Sequence, residues 1–100
     1  MSVGLAGLLL ALAPLVSQAS SSLAVEMGCY NCHGTPVRGD APSFERLSVK
    51  YAKRQGDAAA EQHAVDELLR GEPLQRIPAH EYLSPETARQ LVHWLFEGAK

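Results

Sequence analysis

The chain has 100 residues, with nine Lys and Arg against eleven Asp and Glu for a formal net charge of −2. It contains no basic run and no interleaving of aromatic with basic side chains, which argues against a nucleic-acid partner. Residues 20–100, the part left once an apolar leader is set aside, lie near the lower size limit of a free-standing domain, because so short a chain buries only a modest share of its surface.

The leader comes first in chain order. Residues 3–16 are an apolar run of Leu, Ala, Gly and Val, closed by Ser17-Gln18-Ala19, which has the small-residue pattern of an export cleavage site. The run is short for a bilayer span, which needs about twenty apolar residues, and Pro14 interrupts it. Residues 1–19 are therefore expected to form a signal peptide and 20–100 a single exported domain. Because the first cationic side chain is Arg38 rather than a residue ahead of the apolar run, retention of the segment as an anchor is the alternative.

Leu23, Ala24 and Met27 fall at helical spacing, which predicts a first helix over 22–31 that carries Cys29 and Cys32 in its last turn. Cys29-Tyr30-Asn31-Cys32-His33 is a C-x-x-C-H sequence, the spacing that attaches a haem through two thioethers and places the following imidazole on its iron. A thioredoxin-like dithiol would need a strand before the motif, and no β-branched alternating run is nearby. A closed zinc site would need a fourth ligand, for which only scattered histidines are available. A covalent haem would also supply the apolar body that a domain this small lacks, so folding is expected to be poor without it.

From Gly34 to Pro42 the sequence is rich in turn formers and reads as a loop. Ser43 is placed to cap a second helix with Phe44, Leu47, Tyr51 and Ala52 on one stripe, ended by Gln55-Gly56-Asp57. Asp57 caps a third, whose Ala60, Ala64, Val65, Leu68 and Leu69 share a face and which stops at Gly71 after Arg70. Ser84-Pro85-Glu86 opens a fourth, with Ala88, Leu91, Val92, Leu95 and Phe96 following i, i+3, i+4, i+7, i+8 and Gly98 at its end. The segment between the third and fourth helices reads as a Pro-containing loop. With no repeat and no strand signal, the fold class is all-α: about four short helices around one covalent haem.

This order of elements, from a short helix into C-x-x-C-H-Gly to a terminal helix bearing Leu91-Val92-His93-Trp94-Leu95, resembles the class I c-type cytochromes over the whole of 20–100. The resemblance implies that the carbonyl of Pro42 accepts the Nδ1 proton of His33, fixing the ring and raising its basicity. It also implies that the first and last helices cross near their ends, with Gly28 or Ala24 against Trp94. Trp94, Phe96 and Tyr51 are read as core residues.

One departure from the family matters more. Its small bacterial members take their second axial ligand from a methionine in the loop before the terminal helix, and this chain has only Met1 and Met27. Met27 precedes Cys29 on the wrong side of the ring and is expected in the core. The loop reads Arg76-Ile77-Pro78-Ala79-His80-Glu81-Tyr82-Leu83-Ser84, and His80 stands within a residue of the family's methionine. His80 is the expected sixth ligand, since imidazole is a strong donor to haem iron. His63 and His93 belong to the polar sides of their helices.

Two imidazoles favour ferric iron more than a His/Met pair does, so a low reduction potential is expected. With both axial positions filled there is no open site, and the resemblance implies a carrier of single electrons rather than an enzyme. It also implies a periplasmic location. A closer resemblance, to the small periplasmic bis-histidine cytochromes of neutrophilic iron-oxidising bacteria, implies redox partners among multihaem and inner-membrane cytochromes. The alternatives are a five-coordinate or labile haem module that binds gases, and a haem subunit of a larger oxidoreductase.

Overall fold

The computed structural model describes residues 15–70 and 76–100, with side chains from Ser21 onward. Expectations that fall on residues 1–14, or on Gly71 as the stop of the third helix, lie outside the described residues. Among those described there is no strand. The helices are α1 (Leu15–Glu26), α2 (Tyr30–His33), α3 (Phe44–Ala52), α4 (Ala58–Arg70), α5 (Pro78–Glu81) and α6 (Pro85–Phe96). The chain is therefore all-α, and no helix among the described residues is long and apolar enough to cross a membrane.

The caps read from the sequence are present. Ser43 Oγ accepts from the Arg46 amide at 3.1 Å, Asp57 Oδ1 from the Ala60 amide at 3.0 Å, and Ser84 Oγ from the Thr87 amide at 3.1 Å. Each satisfies one amide that a helix start leaves without a backbone partner. Ser84→Ala is expected to lower stability by about 1 kcal/mol while leaving the fold intact, read as a shift of the urea midpoint at constant slope.

α6 is the hub, packing against α1, α3 and α4. Its stripe serves two clusters. Ala88, Val92 and Phe96 pack with Ala64 and Val65 of α4, and Tyr51 of α3 stacks on Phe96 with ring centres 5.0 Å apart. Leu91 and Trp94 pack on Ala24 of α1, with Leu23, Cys29, Phe44 and Ala99 around them; Leu83 touches both clusters. Of the two small residues considered for the crossing of first and last helices, Ala24 is the one buried against Trp94.

Four details differ from the sequence reading. α1 starts at Leu15 rather than at Ser22, so it runs through the expected cut after Ala19. It ends at Glu26 and not at the motif, because Gly28 takes a left-handed conformation (φ +74°). The Cys29 amide then reaches back to Ala24 O and the Gly28 amide to Val25 O, both at 3.0 Å. This is a Schellman closure, and it turns the chain so that Cys29 packs against the Ala24 cluster. α6 ends the same way: Gly98 has φ +87°, the Ala99 amide bonds Trp94 O at 2.8 Å and the Gly98 amide bonds Leu95 O at 3.0 Å. Both closures deliver their following residue to one cluster.

Met27, expected in the core, is 40% exposed. The turn at Gly28 ends the periodicity that would have carried its side chain inward, and the inward positions of that last turn go to Leu23 and Ala24. The segment before α6 is also not wholly irregular. It contains the one-turn helix α5, started by Pro78 and closed by amides of Glu81 and Tyr82 on the carbonyls of Ile77 and Pro78.

Candidate functional site

α2 is the C-x-x-C-H segment itself. The amides of Cys32 and His33 bond the Cys29 carbonyl at 3.2 and 2.9 Å, so Cys29 and Cys32 lie one turn apart, both half-buried and neither in a disulfide. Burial pushes the Cys29 thiol up, more than the hydrogen bond with its own backbone pulls it down, which keeps it protonated at neutral pH. Gly34 follows, with its amide on Tyr30 O; a Cβ there would stand 2.6 Å from that carbonyl oxygen. Gly34→Ala must therefore displace the end of the turn, and a loss of roughly 1–3 kcal/mol is expected in chemical denaturation.

The loop from Gly34 to Pro42 returns over the motif, anchored by the Arg38 amide on Cys32 O at 3.0 Å. It brings the carbonyl of Pro42 to 2.6 Å from Nδ1 of His33. A carbonyl can only accept, so Nδ1 must carry the proton, and the lone pair of His33 is left on Nε2. Immediately after, Phe44 lies 5.2 Å from the His33 ring, 4.8 Å from Tyr30 and 5.2 Å from Trp94, centre to centre. It ties the motif to the hub helix.

The loop before α6 supplies the opposite side. His80 sits in α5, half-buried, with its ring centre 6.1 Å from that of His33 and the two planes within 8°. Burial first, and the charge of His33 second, push His80 below its ordinary range and favour the neutral ring that a metal would bind. Arg76 braces the turn, bonding Glu81 at 2.8 Å; that bond holds the Glu81 carboxyl below the usual carboxylate range and Arg76 above its own. The shift of Glu81 means the brace is complete at neutral pH and is lost as pH falls through the acid range.

The other histidines are elsewhere. His63 is exposed and pairs with Glu67 at 2.6 Å within α4. His93 is exposed and lies between Glu61 and Glu97, at 3.1 and 3.3 Å. Neither faces the His33–His80 pair.

No family model matches the chain, and no curated protein or solved structure is significantly similar to it. The chemistry rests on the residues themselves. Two imidazoles bound end-on to one metal through bonds of about 2.0 Å place their ring centres roughly 6 Å apart. A bare offset aromatic pair falls in the same range, about 4.5–7 Å, so the spacing alone does not choose between them. Around the pair, one imidazole has its tautomer fixed by an acceptor, the other is driven neutral, and two thiols outside any disulfide stand on the turn that carries His33. Among the described residues no three His, Cys, Asp or Glu side chains converge; the donors on hand are two imidazoles and two thiols. A covalent haem fits that set.

The sequence reading named Cys29, Cys32, His33, Pro42 and His80, and all five lie in this one region. It placed Phe44 only on a helical stripe and missed its contact with His33. The signal was present, since Phe44 stands two residues past Pro42 and must follow wherever that carbonyl is held. The indole nitrogen of Trp94, next to Phe44, is buried without a hydrogen-bond partner among the described residues.

Proposed function

We propose that the protein is a carrier of single electrons with one haem c, held by thioethers from Cys29 and Cys32 and by axial bonds from His33 and His80. The observation that carries the reading is the facing pair of imidazoles, with parallel planes and ring centres 6.1 Å apart, beside a C-x-x-C-H turn. Once bound, the haem would supply a one-electron ferric/ferrous couple.

Each residue has a definable task. Pro42 holds the Nδ1 proton and so aims Nε2 of His33, making it the more basic donor. His80, neutral and half-buried on a turn fixed by Pro78 and by Arg76–Glu81, would fill the second axial position and close the iron to oxygen and to substrates. Two nitrogen donors favour the oxidised state over what a thioether would give, so the potential would be low for a c-type cytochrome. Among the described residues eight hydrophobic side chains are buried, three of them alanines, and the largest fully enclosed ones are Phe96 and Val65. That is a thin core, and a covalent haem would add to it.

The apolar leader supports export to the periplasm, where thioether attachment takes place. Redox partners of the multihaem or inner-membrane cytochrome kind, including those of extracellular iron oxidation, belong to the same proposal.

Production alongside a cytochrome c maturation system tests the reading. Haem should remain on the chain in a denaturing gel and be lost in Cys29→Ser/Cys32→Ser. The oxidised protein should show a low-spin bis-imidazole electron paramagnetic resonance spectrum, and the reduced protein should not bind carbon monoxide. A chain that takes up no haem would sink the proposal, whereas a haem that binds carbon monoxide readily would replace the carrier with a gas-binding module.

A further inference from the structure

Charge is distributed unevenly along the chain. Residues 46–54 carry Arg46, Lys50, Lys53 and Arg54 with no acid, so the rest has five cations against eleven acids, or −6. Arg54 is engaged with Asp57 at 3.8 Å. Among the described residues, Arg46, Lys50 and Lys53 have no carboxylate within 4.0 Å.

Arg46 and Lys50 share one face of α3, and Lys53, its C-cap, continues that face. Phe44, Leu47, Tyr51 and Ala52 are half-buried, whereas Arg46, Val49, Lys50 and Lys53, at i, i+3, i+4 and i+7, are all exposed. Val49 is 58% exposed and lies in a shallow groove with Ser43, Glu45 and the three cations along its walls. Like charges one turn apart repel by a few tenths of a kcal/mol per pair, and no described carboxylate forms an ion pair with any of the three. An apolar centre flanked by three cations, with Lys50 resting 5.2 Å over the Tyr51 ring and one acid, Glu45, on the same wall, has the composition of a small docking patch.

Three kinds of anionic partner could meet it. A nucleic acid is disfavoured by the −6 carried elsewhere and by the absence of an exposed aromatic on this face. A lipid surface would want a broad face of large apolar side chains, and α3 offers Val49 alone. An acidic protein surface fits: complementary charge steers the encounter and one apolar contact is desolvated at its centre.

We infer that the outward face of α3, Arg46, Lys50 and Lys53 around Val49, is the docking site for an acidic patch on a partner protein. The further step, that this partner exchanges electrons, rests on the function proposed above. The face is well placed for it, because Phe44 at the start of α3 packs on His33. At 1.5 Å per residue the three cations stand about 3, 9 and 14 Å along the helix from Phe44.

The test is an NMR titration of the full-length isotope-labelled protein with poly-L-glutamate, a probe that does not depend on haem. Shifts should concentrate in residues 43–54 and fade as salt is raised. Arg46→Glu/Lys50→Glu/Lys53→Glu should weaken binding by about tenfold or more, while the control Arg70→Glu/Arg89→Glu should leave it nearly unchanged. Shifts spread over the surface, equal losses in both variants, or tighter binding to phosphatidylglycerol vesicles than to polyglutamate would overturn the assignment. Haem content is read separately on a denaturing gel. Docking without haem would remove only the redox role of the partner, and haem without docking would remove only this inference.

Discussion

Phe96→Ala is expected to lower the unfolding free energy by about 3–5 kcal/mol, the range for emptying an aromatic site in a packed core. Phe96 is 1% exposed, sits among Ala64, Val65, Ala88 and Val92, and stacks on Tyr51. Its neighbours are mostly small or β-branched, and stiff side chains of that kind collapse poorly into a void. The size of the molecule makes the loss decisive. At roughly 0.05–0.15 kcal/mol per residue, a domain of this length holds on the order of 4–12 kcal/mol in all, so the variant should be partly unfolded at room temperature or unfold in very little urea. Phe96→Leu, which keeps most of the volume, should cost less than about 1.5 kcal/mol. Urea titrations of the two variants beside the parent decide the matter; equal, small shifts would mean that the α4–α6 cluster is not the centre of stability.

His80→Ala, in the haem-loaded protein of the proposed function, should abolish the bis-imidazole spectrum and open the iron to carbon monoxide. The structure explains why no other side chain should take its place. His63 and His93 are exposed and paired with carboxylates, His63 within α4 and His93 between Glu61 and Glu97, and Met27 is 40% exposed in the turn that follows α1. His80→Met should instead raise the reduction potential, because a thioether favours ferrous iron relative to imidazole; the shift falls within the roughly 0.8 V that axial ligands span. Potentiometry and electron paramagnetic resonance of both variants provide the readout. An unchanged low-spin spectrum in His80→Ala would remove His80 from the site.

The elements themselves were legible in the sequence for local reasons. Ser43, Asp57 and Ser84 cap helices because a short side-chain oxygen next to a free amide needs nothing from the rest of the fold. The stripes of α3, α4 and α6 follow from the 3.6-residue period, and they identified Tyr51, Val65, Leu91, Val92 and Phe96 as inward residues without reference to a partner. The C-x-x-C-H spacing is likewise local chemistry: it placed both thiols and the His33 imidazole on one turn before any tertiary contact was known.

The tertiary structure decided what those local rules leave open. Helical periodicity carried α1 through to Asn31, and only the left-handed Gly28, with its two reach-back bonds, shows where the helix stops and why Met27 is outside while Cys29 is inside. The one-turn helix α5 was hidden because four residues are too few for a period; it is visible only once the Pro78 start and the Arg76–Glu81 brace are seen together. Phe44 read as one apolar residue among several until the return of the Pro42 loop set it against His33. The approach of His80 to His33, across 47 positions of chain, is the clearest case. The identity of each residue suggested its chemistry, but their separation depends on how α5 is carried by α4 and how the motif is tied through Phe44 to Trp94. Distances of that kind are set by packing between elements, which no local pattern encodes.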